Sequence, residues 1–144
     1  AIKLDYACGA IEKAVLAAKD AALIVVEGQG SLLHPGSSAT LPLLRGTCPT
    51  HLILCHRAGV DTLRDFPWLK VPPLAEVADL YRVVASACGS SPEAQVAGIS
   101  LNTASMGEDQ AKACIETTRR ETGLPTTDPV RFGAEPLLDA LPLG

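Results

Sequence analysis

The chain has 144 residues, is 47% hydrophobic but only 3% aromatic, and carries a net charge of -4. That length fits one domain, 1–144, with an aliphatic core, and the acidic balance argues against a nucleic-acid footprint, which would be basic. No apolar run approaches the ~20 residues a membrane span needs, no charged-then-apolar leader pattern marks a secretion signal, and five cysteines without a CxxC pair make no disulfide framework.

The sequence opens in mid-pattern at Ala1-Ile2-Lys3-Leu4, without an initiator methionine, and is expected to be a piece of a longer protein. Asp5 is placed to cap a helix that buries Ile11 and Val15 and ends at Asp20. A first strand is predicted at about Ala22 to Glu27. Its run Leu23-Ile24-Val25-Val26 has no polar break, the habit of a parallel strand buried on both faces. A short helix is expected from Ala39 to Arg45. The second strand is His51 to His56. From Val60 to Pro73 no period is clear, and an irregular loop or lid is expected. Pro73 starts a strong helix that Gly89 stops. The third strand is Gln95 to Leu101. Ser105 and Glu108 have capping-box spacing for a helix that runs to Thr122. Thr126 to Val130 reads as a short extended piece, and Glu135 to Leu141 as a closing helix. Strand and helix alternate, which predicts a parallel α/β sheet with helices on both faces. Cys8, Cys88 and Cys114 on helices and Cys55 on a strand read as small buried thiols of a reducing cytoplasm.

In open parallel sheets, ligands sit beyond the carboxyl ends of the strands. Glu27 ends the first strand, where it could act as a general base or hold Mg²⁺. Gly28 and Gly30 let the backbone turn and approach a ligand closely, and Gln29 and Ser31 share that loop. His34 and His56, near successive strand ends, could face one crevice and accept a proton from an amine near neutral pH. Asn102 ends the third strand, where its amide could read a base or an acyl amide. Arg131 could meet a carboxylate or phosphate. Cys48, His51, Cys55 and His56 lack compact zinc spacing, and alternation points Cys55 and His56 to opposite faces. A GxxxxGK[ST] phosphate loop is absent from the sequence.

Taken in order, Val26-Glu27-Gly28-Gln29-Gly30-Ser31-Leu32 with His34-Pro35, Leu54-Cys55-His56, Gly98-Ile99-Ser100-Leu101-Asn102-Thr103, and Thr122-Gly123-Leu124-Pro125 with Asp128-Pro129-Val130-Arg131 resemble one bacterial family. It has a P-loop-type fold, was long called uncharacterised, and is associated with D-glutamate N-acetyltransferase. The resemblance spans nearly the whole chain. It implies a P-loop NTPase-like sheet lacking its amino-terminal P-loop strand, so that the chain is the carboxyl-terminal portion of such a protein. It also implies acetyl transfer to an acidic amino acid, with acetyl-CoA or ATP at Gly28, Gln29, Gly30, Ser31 and Asn102, and with Mg²⁺ as a further expected cofactor. Glu27, His34 and His56 would then be catalytic, Glu27 the metal ligand, and Arg131 the substrate contact. Gly36-Ser37 and Val60 depart from the pattern, standing where an aromatic and an arginine are expected.

Glu27-Gly28-Gln29-Gly30 and Asn102 also resemble sites in dethiobiotin synthetase, which keeps an ATP-dependent ligase or kinase-like enzyme open. A non-catalytic nucleotide-binding module is the third reading. All three expect a small-molecule ligand, no nucleic acid and no membrane. A sheet with open edges invites pairing with another chain, so a homo-oligomer is expected.

Overall fold

The computed structural model describes residues 3–142. A 3-10 turn at Leu4–Tyr6 leads into helix α1, Ala7–Ala17. Helix α2 is Thr40–Thr47 and strand β1 is His51–Arg57. A hairpin follows, β2 at Thr62–Leu63 and β3 at Phe66–Lys70. Helix α3 covers Leu74–Ser86, strand β4 Gln95–Asn102 and helix α4 Glu108–Thr122. Strand β5 is Thr126–Thr127, and the short helices α5, Pro129–Phe132, and α6, Glu135–Leu138, complete the described chain. No helix among the described residues is long and apolar enough to cross a membrane.

The main sheet has three strands in the order β1-β4-β5. Both pairings are parallel, as the strand–helix alternation requires. Its centre is β4, where Ile99 and Leu101 are buried with Ile115 of α4 and with Leu54 and Leu74 against them. Successive strand residues point to opposite faces. On the other face Gly98 lets α6 in, because a Cβ there would lie 2.6 Å from Leu137 and 2.8 Å from the carbonyl of Pro125. Helices therefore cover both faces of β4. A second cluster joins Leu44, Ala85 and Ala94, with Leu32, Leu52, Tyr81 and Val84 packed on it.

Four expectations need correction. Ala22 to Glu27 is not a paired strand: the residues are exposed and lie outside every hydrogen-bonded element. Side-chain pattern alone cannot make a strand, which forms only where a neighbouring backbone accepts its hydrogen bonds. The stretch from Val60 to Pro73 is no irregular loop but the β2–β3 hairpin, turned at Asp65 with φ +65°. The expected capping box is not made: the cap of α4 is Gly107, and neither Ser105 nor any other side chain caps it. The cysteines are not buried thiols. Cys8, Cys48, Cys55 and Cys88 are exposed and Cys114 is half-buried, because α1 and β1 each leave one side uncovered and Cys88 follows the end of α3.

Candidate functional site

The carboxyl ends of β1 and β4 lie side by side. His56 stands opposite Leu101 and Arg57 opposite Asn102, and the Ala58 amide donates to the Asn102 carbonyl at 3.0 Å. The Asn102 side chain closes a local turn, its Oδ1 accepting from the Ala104 amide at 3.1 Å. Asn102 is exposed, as is Arg57 at the paired register position on β1. His56 is half-buried, and burial lowers its pKa, so the imidazole stays neutral further down the pH scale. It lines an open groove of roughly 500 Å³ with Gly59, Asp61, Leu101, Met106 and Thr117.

Behind Asn102 a buried carboxylate organises the loop. Asp128 is 3% exposed. It accepts from the Thr103 amide at 2.9 Å, the Thr103 hydroxyl at 2.6 Å, and the Val130 and Arg131 amides at 3.1 and 3.3 Å. Burial by itself would raise this carboxyl, but the bonds from Thr103, then Arg131 and Val130, outweigh it and hold the pKa below the usual value. Arg131 donates to the carbonyls of Thr103 at 3.1 Å and Met106 at 2.9 Å and lies over the Phe132 ring. Its Nη1 is thus occupied in fixing the loop after β4.

The glycine loop is held differently. Gly28 has no room for a Cβ against Leu43 of α2, and Gly30 has φ +98° with Ser37 and Thr40 against it. Gly30 is favoured by its left-handed backbone, and Gly28 lies close against the Leu43 side chain of α2. The Gln29 carbonyl accepts from the Thr40 hydroxyl at 3.5 Å. Ser31 donates its amide to Ser37 Oγ at 3.0 Å and accepts from the Leu33 amide at 3.1 Å. The Leu32 amide donates to the Tyr81 hydroxyl at 3.0 Å, tying this loop to α3.

His34 has both ring nitrogens engaged. Nδ1 accepts from the Gly36 amide at 3.1 Å, which assigns the proton to Nε2 for the 3.3 Å contact with the Arg64 carbonyl. Its ring stands edge-on to Phe66 at 5.2 Å. The hairpin thereby docks on the glycine loop.

These residues form two groups. His56, Arg57, Asn102 and, behind them, Arg131 cluster at the ends of β1 and β4. Gly28 and Gln29 line a separate groove between α1 and α2, with Ala7, Ile11 and Leu43. Glu27 lies on the exposed stretch that precedes that groove. His34 sits between the groups, linked to the hairpin whose base, Val60 and Asp61, lines the His56 groove. Among the described residues no group of three His, Cys, Asp or Glu side chains is arranged to hold a metal ion. Sequence reading missed Asp128, although Asp before Pro-x-Arg is a helix N-cap signature. It also missed Arg57, which carries no motif, and Phe66 and Trp68, whose alternation after the Arg64-Asp65 turn was the hairpin signal.

A family described as "Domain of unknown function (DUF1611_C) P-loop domain" matches residues 1–138. A protein of Tritonibacter scottomollicae named D-glutamate N-acetyltransferase is 37% identical over 142 residues, covering 98% of this chain and 42% of that protein. A Pseudoalteromonas protein of the same name is 32% identical, covering 93% of this chain and 40% of its own length. The crystal structure of a DUF1611 family protein from Anabaena variabilis is 52% identical and superposes with a TM-score of 0.94, over 96% of this chain and 41% of that one. The chain thus spans about two-fifths of the length of the relatives it matches. With its parallel β1-β4-β5 sheet and this match along almost its whole length, the chain belongs to the DUF1611 family, in the carboxyl-terminal P-loop domain.

Proposed function

We propose that this chain is the carboxyl-terminal part of an N-acetyltransferase that moves acetyl from acetyl-CoA to the amine of an acidic amino acid, D-glutamate. The observation that carries the reading is the 37% identity to a protein of that name across 98% of the chain. In the reaction the amine nitrogen bonds to the thioester carbonyl carbon, the C–S bond breaks, the amine gives up a proton to a base, and the thiolate leaves. The base must be neutral or anionic at working pH. His56, kept neutral by burial, meets that condition, and Glu27 and His34 are the other two candidates. The NH₂ group of Asn102 is a donor for an acyl or amide oxygen. Arg131 is tied to its loop, so Arg57 beside Asn102 is the better placed cation for a substrate carboxylate.

The residues present fit a small carboxylated amine better than a polyphosphate. Gly28, Gln29, Gly30 and Ser31 offer backbone amides, but Ser31's amide is already bonded to Ser37, and no GxxxxGK[ST] loop occurs in the chain. The roles of His56, Asn102 and Arg57 do not depend on the phosphates of acetyl-CoA or ATP, nor on Mg²⁺ at Glu27. The test is acetyl transfer from acetyl-CoA to D-glutamate by the chain completed to family length. His56→Ala is expected to lower kcat by on the order of a hundredfold, as loss of a general base does. Unchanged rates in His56→Ala, Glu27→Gln and His34→Ala together would reject the reading. The P-loop description of the family favours a second reading, an ATP-using ligase or kinase-like enzyme. It expects Mg²⁺-dependent ATP hydrolysis that collapses in Glu27→Ala, and is excluded if hydrolysis is absent while acetyl transfer proceeds.

A further inference from the structure

A neutral imidazole has one nitrogen with a free lone pair and one that carries a proton. In His34 the lone pair on Nδ1 is occupied by the Gly36 amide at 3.1 Å, and the proton on Nε2 faces the Arg64 carbonyl at 3.3 Å. His34 could therefore take a substrate's proton only by breaking the turn it stands on. That turn is firmly held. The His34 carbonyl accepts from the Ser37 amide at 3.0 Å, and the His34 amide donates to the Ser31 carbonyl at 3.2 Å. The Ser31 amide meets Ser37 Oγ at 3.0 Å, and the Leu32 amide is anchored on Tyr81 of α3.

The β2–β3 hairpin is the opposite case. None of residues 62–70 is buried, and none belongs to either apolar cluster. Among the described residues, the bond from His34 is the one hydrogen bond that reaches 62–70 from outside. The His34 ring also meets Phe66 edge-on at 5.2 Å. The root of the hairpin is narrow. The Val71 amide donates to the Asp61 carbonyl at 2.9 Å, and Gly59, with φ +75°, precedes it. A lone two-stranded hairpin is marginal in water, so these few contacts set its position. Its root lines the His56 groove through Val60 and Asp61, and its tip rests on the glycine loop. The hairpin thus runs from one group of site residues to the other.

We propose that His34 is a positioning residue for acetyl transfer: through Arg64 and Phe66 it latches the β2–β3 hairpin as a lid over the crevice between the glycine loop and the His56 groove, and it is not the group that takes the substrate's proton. The role in transfer rests on the acetyl-transfer reading, while the latch rests on geometry alone. A seated lid keeps water from the bound thioester and retains the substrate. Proton transfer then falls to His56 or Glu27.

Two amide variants separate latch from base, because a carboxamide accepts no proton near neutral pH. In His34→Gln the side-chain nitrogen stands about where Nε2 stood and can still donate to the Arg64 carbonyl. In His34→Asn the shorter side chain keeps an acceptor for Gly36 and loses Arg64. The first readout is the fluorescence anisotropy decay of Trp68, the only tryptophan of the chain, which stands edge-on to Phe66 at 5.5 Å. His34→Asn is expected to add a fast component, the undocked fraction rising on the order of tenfold for one lost hydrogen bond, and His34→Gln to restore the native decay. The second readout is acetyl transfer from acetyl-CoA to D-glutamate by the chain completed to family length. His34→Asn is expected to raise the KM for acetyl-CoA about tenfold, and His34→Gln to recover most of that loss. Phe66→Ala undoes the contact from the hairpin's side and is expected to match His34→Asn, which covers the case in which His34→Asn does not fold. A general base at His34 would instead lower kcat on the order of a hundredfold, equally in Gln and Asn. That equal loss overturns the proposal, and so does a Trp68 decay in His34→Asn identical to the native one. If the native completed chain transfers no acetyl, the acetyl-transfer reading fails, and the Trp68 decay still decides whether His34 is the latch.

Discussion

The β4–α4–β5 half of the chain and the stretch from Lys3 to Gly30 have opposite fates, although the second is the richer in apolar residues. In the first, Ile99, Leu101, Thr103, Thr126 and Asp128 are all at most 3% exposed, and each polar group among them has a partner. In the second, α1 buries nothing and every residue from Ala21 to Gly30 is exposed. Hydrophobicity alone does not separate them. What separates them is whether backbone and side-chain hydrogen bonds can be completed within the chain. β4 has a strand on either side, and the run at Leu23 to Val26 has none. Burial follows satisfied hydrogen bonding as much as it follows apolar sequence.

The largest expected effect breaks the satisfied half at its polar centre. Asp128→Ala leaves the buried amide and hydroxyl of Thr103 without an acceptor and removes the cap of α5. At about 1–3 kcal/mol per unsatisfied buried group, a loss of about 4 kcal/mol is expected, read as a fall in the urea midpoint. A loss under about 1 kcal/mol would show that water replaces the carboxylate and that the network is not a closed one. Leu101→Ala, in the apolar centre of the same half, is expected to lose about 3 kcal/mol through its cavity. Gly98→Ala comes next, at about 2 kcal/mol, because the added methyl meets Leu137 and the Pro125 carbonyl. If Gly98→Ala is neutral, α6 is a loose cover and the sheet has only one firmly packed face.

The same contrast explains what could be read in the sequence. β1, β4, α3 and α4 were legible because their apolar periods are completed by neighbours inside the chain. The run at Ala22 to Glu27 had the strongest strand pattern of all and is not a paired strand, because no backbone among the described residues bonds to it. Gly28 and Gly30 were read as a turn that lets a ligand approach, but the groups that come close to them are Leu43, Ser37 and Thr40, which meet them only in three dimensions. Arg131 invited a role in binding because arginines bind anions. Its use on two carbonyls of the β4 loop follows from the register of β5 against β4, which no local motif encodes.

Acid titration probes Asp128 and His56 at once. Asp128 has a lowered pKa when folded, so its contribution is present above the usual carboxylate value, about 3.9, and is lost as pH falls through the lower folded value. His56 is also lowered, by burial. The unfolded chain takes up a proton at this residue below about pH 6.5 while the folded chain resists, so its contribution fades as pH drops beneath that value. Stability is therefore expected to slope downward in two steps on acidification. His56→Phe should flatten the upper step and leave the lower one, measured as urea midpoints from pH 7.5 down to about pH 2.5. An unchanged slope would place His56 in water in both states.

The smallest expected effect is the sharpest form of the comparison. Val25 and Leu101 are both β-run aliphatics, one 82% exposed and the other 1%. Exposed substitutions away from special features usually stay within about 0.5 kcal/mol. Val25→Asp in this chain should therefore leave the urea midpoint within that band, and its added charge should oppose self-association of an open apolar stretch. In the chain completed to family length the same substitution should be strongly destabilising, because the aspartate would then sit in a strand covered on both sides. A large loss in the short chain would mean that residues 22–27 already pack against something within it, and the division of the molecule into a completed and an uncompleted half would fail at its clearest residue.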